Sequence, residues 1–380
     1  MVIIAMVGLS HGARADTTFT LAGAGGGWFH PELGGHGIAI VAVDVTDLYR
    51  DGVFYSELNT DTLRVGFRRA RFADGLLELG VEATGEALFA GLLTDYYRRG
   101  ERDAARGFAA HYVMLSAYAK LNLPGGHYLS LMAAGRKWFF SAMEKTHEQL
   151  VLPSESFTFE PRLHYTFWKI RSDPSIGDRH RLFWRVEGIA VGVEGRLDLQ
   201  SNVRPWGALD ETVFDIPDTR NNPDKVALIG VQWLRAGVPV VDFFRIQLAE
   251  IAMYGSGADD LNRYRVGGMN PYVVPIAGAP WAAFLSERFV AAELSLHFEV
   301  SQNIDVGMLS NGVYLDDVAR TGTSDSGFQW GIGLLFDFRK GPYQLDIRAG
   351  WSPSMRWISN AGSFAAFLAF GRNWSLGSES

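Results

Sequence analysis

The chain has 380 residues with 35 basic and 42 acidic side chains, a formal net charge of −7. Its arginines are interleaved with acids, so there is no basic footprint for nucleic acid, and it contains no cysteine, so no disulfide braces the fold. Apolar residues make up 47%, but they come with 43 glycines, 25 phenylalanines and 11 tryptophans, a mixture that favours sheets and bends over helix bundles. After the N-terminus no apolar run reaches the ~18 residues that a membrane helix needs, whereas a β-barrel carries a weaker signal per segment and stays open.

Taken in chain order, residues 1–15 read as a signal peptide: Val2 to Leu9 is a short apolar run, and Ala13-Arg14-Ala15 has the small-x-small form of a cleavage site. Residues 16–36 are expected to be an N-terminal leader. Its run Gly23 to Gly27 lacks the preceding strand and the following Lys-Ser/Thr of a phosphate loop, and reads as flexible spacer. From 37 to 374 the sequence alternates polar and apolar residues in about fourteen segments of roughly ten to fourteen residues, the length of a tilted membrane-crossing strand. These segments are 37–47, 61–72, 76–87, 107–122, 127–140, 156–169, 181–195, 225–235, 240–254, 287–300, 303–314, 328–339, 343–351 and 363–374. Two further strands are sought in 17–29 and 206–224, which would bring the count to sixteen. Residues 375–380 are left as a C-terminal tail.

Connection lengths alternate as well. Short turns are expected at 73–75, 123–126, 236–239, 301–302 and 340–342, and long polar loops at 88–106, 141–155, 196–224, 255–286 and 315–327, with 170–180 too long for a tight turn. Tight turns at one end and long loops at the other are the asymmetry of bacterial outer-membrane barrels.

The strand faces support the same reading. Around Asp74-Gly75, Arg64, Gly66 and Arg68 share a face opposite Glu78, Gly80, Glu82 and Glu86, while Leu63, Val65, Phe67, Leu77, Leu79 and Val81 share the other. Opposite charges facing one another across strands attract, so Arg64, Arg68, Glu78, Glu82 and Glu86 are expected to form a charged ladder inside a lumen. From Glu293 to Val300 the alternation is unbroken: Glu293, Ser295, His297 and Glu299 point one way and Leu294, Leu296, Phe298 and Val300 the other. Ser295 and His297 share a face, but residues two apart on a strand are neighbours by geometry alone, and no enzymatic activity is expected. The nine histidines have no metal-ligand spacing, so neither a metal nor a cofactor is expected.

About the last 120 residues resemble the BamA-type superfamily of outer-membrane barrels, the bacterial surface antigen family. Arg265-Val266-Gly267-Gly268, in the longest late loop, resembles the Arg-Gly motif that this family folds into the lumen, and five strands follow it. Ala292-Glu293-Leu294 and Asp305-Val306-Gly307 resemble the acidic positions that hold the loop arginine. Gly331-Ile332-Gly333 through Lys340 to Asp346 resembles the penultimate hairpin, and Phe370-Gly371-Arg372-Asn373-Trp374 the terminal aromatic signal. The resemblance implies a structural lumen anchor made by Arg265, Gly267, Gly268, Glu293, Asp305 and Gly307, and an assembly signal carried by Phe370, Gly371 and Trp374. A guanidinium suits that role, since its five donors form a rigid fork that two carboxylates can share.

The expected protein is therefore an all-β transmembrane antiparallel barrel of 14–16 strands in the bacterial outer membrane. It has no catalytic residue and acts with partners in outer-membrane assembly, translocation or scaffolding; a passive pore for small solutes is the alternative. Its expected partners are outer-membrane lipids and a lipoprotein or periplasmic protein.

Overall fold

In the computed structural model, residues 19–376 are described except 32–33, 46–49, 60–61, 87–96, 99–100, 103–104, 172–186, 211–213, 215–223, 260, 269–274, 281–282, 317–326, 342 and 356–361. The expected signal peptide and residues 377–380 lie outside the described residues.

Sixteen antiparallel strands close into a barrel. They are β1 Phe19–His30, β2 Gly34–Val45, β3 Val53–Asn59, β4 Thr62–Phe72, β5 Leu77–Glu86, β6 Phe108–Leu123, β7 His127–Ala142 and β8 Phe157–Arg171. The second half is β9 Glu187–Gln200, β10 Val226–Val241, β11 Phe244–Ser256, β12 Arg288–Ser301, β13 Ile304–Leu315, β14 Gly327–Lys340, β15 Tyr343–Ser352 and β16 Ser363–Leu376. Each pairs with its neighbours in sequence, and β1 pairs with β16 from Phe19–Leu376 to Phe29–Ala366.

Four expectations are corrected. Residues 19–30, placed in the leader, form the strand that was sought in 17–29, so the glycine run is sheet and not spacer, paired on both sides. At Gly26 a side chain would run into the Leu368 carbonyl, which shows how close the two backbones lie. The second unrecognised strand is Val53–Asn59, not 206–224, whose described residues contribute only a bridge from Gly207 to Val151. The turn expected at 236–239 lies inside β10: the chain turns at Asp242 and Phe243, and Pro239 is tolerated beside a register irregularity between Pro239 and Val241. Finally, β9 runs to Gln200, so Arg196 and Asp198 belong to the wall and not to a loop.

The two faces of the barrel differ as the alternation requires. Leu115 is 67% exposed on the outside while Ser116 beside it is 7% exposed in the lumen. Outward rings form two girdles, Tyr254, Tyr314, Phe328 and Trp351 at the long-loop end, and Tyr165, Phe243, Phe298, Tyr343 and Phe370 at the short-turn end. From Phe244 to Tyr254, β11 climbs about 33 Å along its own axis, or about 25 Å once tilted by ~40°, the height of a hydrocarbon-facing band. With an even number of strands, β1 begins and β16 ends at the short-turn end.

The candidate functional site: a plugged lumen

The connection between β11 and β12, residues 257–287, folds back into the lumen as a plug. It carries a small hairpin, Tyr264–Val266 paired with Phe284–Ser286. Val266, Ile276, Ala279, Ala283 and Phe284 pack with Ile229, Val231, Met253, Phe289, Val313 and Leu315, which face inward from β10 to β13. The long-loop half of the lumen therefore holds an apolar core between plug and wall. A second apolar cluster, Phe108, Trp138, Leu150, Trp206 and Phe214, packs the loops after β7 and β9 over the opposite side, with Leu261 of the plug against it.

The motif glycines have a backbone reason. Gly267 and Gly268 have φ of 115° and 87°, and a side chain on Gly267 would meet the Pro280 carbonyl and Ala283. From there the chain reaches its apex at Ile276 to Pro280, where plug backbone lies on sheet backbone. Side chains at Gly331 or Gly350 would occupy the space of Ala277 and Gly278. Asn311 of β13 accepts the Ala277 amide at 2.8 Å, and its own amide donates to Glu293 at 3.3 Å, so Glu293 reaches the plug through Asn311. Ser363 donates to the Gly278 carbonyl at 2.6 Å and lies 2.9 Å from His30 Nε2. The hydroxyl proton is committed to the carbonyl, so His30 must donate and carry its proton on Nε2. His30 ends β1 and Ser363 starts β16, so the apex is tied to both strands of the closing seam.

On the other side the plug is held by an ion network that the sequence reading did not foresee. Arg136 of β7 donates to Asn262 of the plug at 3.0 Å and pairs with Glu160 of β8; Arg162 closes on the same carboxylate at 2.7 Å. Arg196 and Asp198 of β9 pair at 2.9 Å. Glu160 and Asp198 are fully buried. Asn262 also donates to Asp259 at 2.9 Å, and Asp259 accepts the Trp206 indole at 3.1 Å. Burial raises the Tyr264 phenol above its usual range, and Arg196 nearby pulls it back. The sequence signal was inward parity: Arg136, Glu160, Arg162, Arg196 and Asp198 all fall on lumen-facing positions of three neighbouring strands.

The expected anchor residues are only partly brought together. Arg265 pairs through its backbone with Leu285, and its side chain lies outside what the structure describes. Asp305 sits about 20 Å down β13 from Asn311. Its described partners come from the wall: Arg245 of β11 at 2.5 Å and His297 at 3.3 Å. Gly307 is opposite His297 in the sheet, where a side chain would meet the Leu296 carbonyl.

The charged ladder of β4 and β5 is rearranged. The pairing slips between Phe67 and Ala70, leaving Arg68 and Arg69 in a bulge with Arg69 at φ 63°. Arg64 consequently stands opposite Thr84 and Gly66 opposite Glu82. Arg68 turns to Asp44 at 3.5 Å, the Tyr55 hydroxyl donates to Glu82, and Glu78 takes Lys120 at 3.2 Å and Asn122 at 3.0 Å. Glu86 pairs across the sheet with Thr62, and Phe370 and Gly371 lie opposite Gly25 and Ala24 in the seam. The Trp374 backbone pairs with Leu21.

Ser295, His297 and Asp305 form a hydrogen-bonded chain, with Ser295 Oγ 3.1 Å from His297 Nε2 and His297 Nδ1 3.3 Å from Asp305. That is the order of a nucleophile, base and orienting acid. However, Ser295 sits mid-strand with Gln247 and Leu309 opposite, so the flanking amides belong to the ladder and none is free to stabilise an oxyanion. Among the described residues no group of His, Asp and Glu suits a metal ion.

No protein-family model matches the sequence, and no curated protein compared with it does. The fold is similar to solved structures. BamA from Haemophilus ducreyi lacking POTRA domains 1-3 superposes with a TM-score of 0.59 at 11% identity, covering 95% of this chain and 71% of that one. CdiB from Escherichia coli gives 0.57 at 11%, covering 93% and 63%, and CdiB from Acinetobacter baumannii 0.52 at 9%, covering 95% and 60%. The chain thus spans less than two thirds of either CdiB. In fold it is a BamA-type barrel.

Proposed function

We propose that this BamA-type barrel resides in the bacterial outer membrane and works without catalysis, together with a lipoprotein or periplasmic protein, in outer-membrane assembly, translocation or scaffolding. The observation that carries this over a passive solute pore is the plug. A free pore needs a continuous aqueous path, whereas here an apolar core fills the space between plug and wall at the long-loop end, and the apex is hydrogen-bonded to β13 and β16. The outward apolar band with its two aromatic girdles supports the membrane setting, and the likeness to BamA and CdiB supports the kind of work.

Planar-bilayer recording tests the choice. The intact protein should show little current, deletion of residues 258–286 should open stable steps, and a partner should co-purify from native membranes. Stable open steps from the intact protein, with no co-purifying partner, would favour the solute-pore reading instead.

A further inference from the structure

We propose that the β7–β8 edge at the short-turn end is a binding site for the phosphate of an anionic phospholipid, formed by His127 and Lys169 on a base of Tyr165 and Phe167. The proposal rests on the reading that the barrel spans a membrane.

All four side chains point outward, on the face that continues into Leu131 and Leu163, 60% and 54% exposed. His127 and Phe167 are direct cross-strand partners. Their ring centroids are 4.9 Å apart, and the imidazole stacks on Tyr165 at 6.0 Å and 26°. Tyr165 Oη lies 2.7 Å from His127 Nδ1. A phenol is the better donor of the two, so Nδ1 accepts and the proton of the neutral ring sits on Nε2, directed away from Tyr165. The turn that joins β7 to β6 provides the opening. Gly125 and Gly126 have φ of 79° and 87°; a side chain on Gly125 would meet only the His127 ring, with Nε2 at 3.7 Å, whereas one on Gly126 would run into the Trp168 carbonyl, with Lys169 Cγ at 3.8 Å. An N–H donor and a lysine stem thus flank a turn whose Gly125 puts no side chain over the His127 ring.

Lys169 is exposed, with its ammonium 5.7 Å from the Phe167 centroid, and among the described residues it has no carboxylate partner. Outward cations at the other end do: Lys137 meets Glu155 at 3.4 Å and Arg288 meets Asp316 at 3.8 Å. A cation with an imidazole N–H, at the girdle where apolar wall gives way to water, matches a phosphate whose acyl chains lie along Leu131 and Leu163.

The test folds the full chain into phosphatidylcholine vesicles with and without phosphatidylglycerol and reads the unfolding midpoint on heat-modified gels. Anionic lipid should raise the wild-type midpoint by about 2–4 °C. The gain should vanish in Lys169→Gln with His127→Leu, persist in Lys169→Arg, and shrink in 1 M salt. Inorganic phosphate added to neutral vesicles should not reproduce it. Equal gains in wild type and double variant would overturn the site and leave the membrane reading standing; failure to fold into either vesicle would overturn both.

Discussion

The Ser363 hydroxyl donates a hydrogen bond to the Gly278 carbonyl at 2.6 Å across 85 residues of sequence. This bond, with that from Ala277 to Asn311, seats the plug where two wall residues, Gly331 and Gly350, have no side chain. Fit at the apex is therefore a matter of missing atoms in the wall. Gly331→Val is expected to push the apex off the sheet and cost about 1–3 kcal/mol, the usual range for overpacking. Denaturant unfolding in micelles checks the loss, and conductance above wild type would show the lumen opening with it.

The opposite side of the plug responds differently. Arg136→Ala leaves Glu160, which is fully buried, with only Arg162, and is expected to cost about 3–5 kcal/mol. Asn262→Ala removes a neutral partner and should cost about 1 kcal/mol. Paired replacement by Arg136→Met and Glu160→Leu should recover most of the loss. A ranking in which Asn262→Ala is the more damaging change would refute the network as the dominant hold.

Arg265 is the residue on which the family resemblance places the anchor. Arg265→Ala is expected to lower the temperature at which the folded form converts on heat-modified gels. If conversion is unchanged, the plug is held by its apolar core, its apex and the Arg136 network without help from Arg265.

Ser295 offers a check on the proposal that the barrel works without catalysis. A fluorophosphonate should leave it unlabelled in folded protein, because its flanking amides are bound in the sheet. Labelling that disappears in Ser295→Ala and His297→Ala would instead establish a nucleophile.

Much of the architecture was legible because alternation is a local signal: β12 reads off Glu293 to Val300 residue by residue. β1 could be sought only from the strand count, because glycine has no side chain to alternate, and β3 escaped because it has only seven residues. Gly237 and Pro239 punctuate the sequence like a turn but sit in β10, where Gly237 pairs with both neighbouring strands and Pro239 with Arg245 of β11. The ladder from Arg64 to Glu86 failed at one bulge, which a period of two cannot reveal. The hold on the plug was illegible for a different reason: Arg136 and Asn262 are 126 residues apart, and only the closed barrel makes them neighbours.

Because Phe19 pairs with Leu376, the last bonds of the wall join its first strand to its sixteenth. Until β16 has docked, the growing sheet presents two raw edges, and the longest-range contacts in the molecule are the ones that remove them. The wall cannot close before its sixteenth strand has been made. It must be kept from sticking to its neighbours until its final strand arrives, and a copy shortened by that one strand should aggregate rather than close.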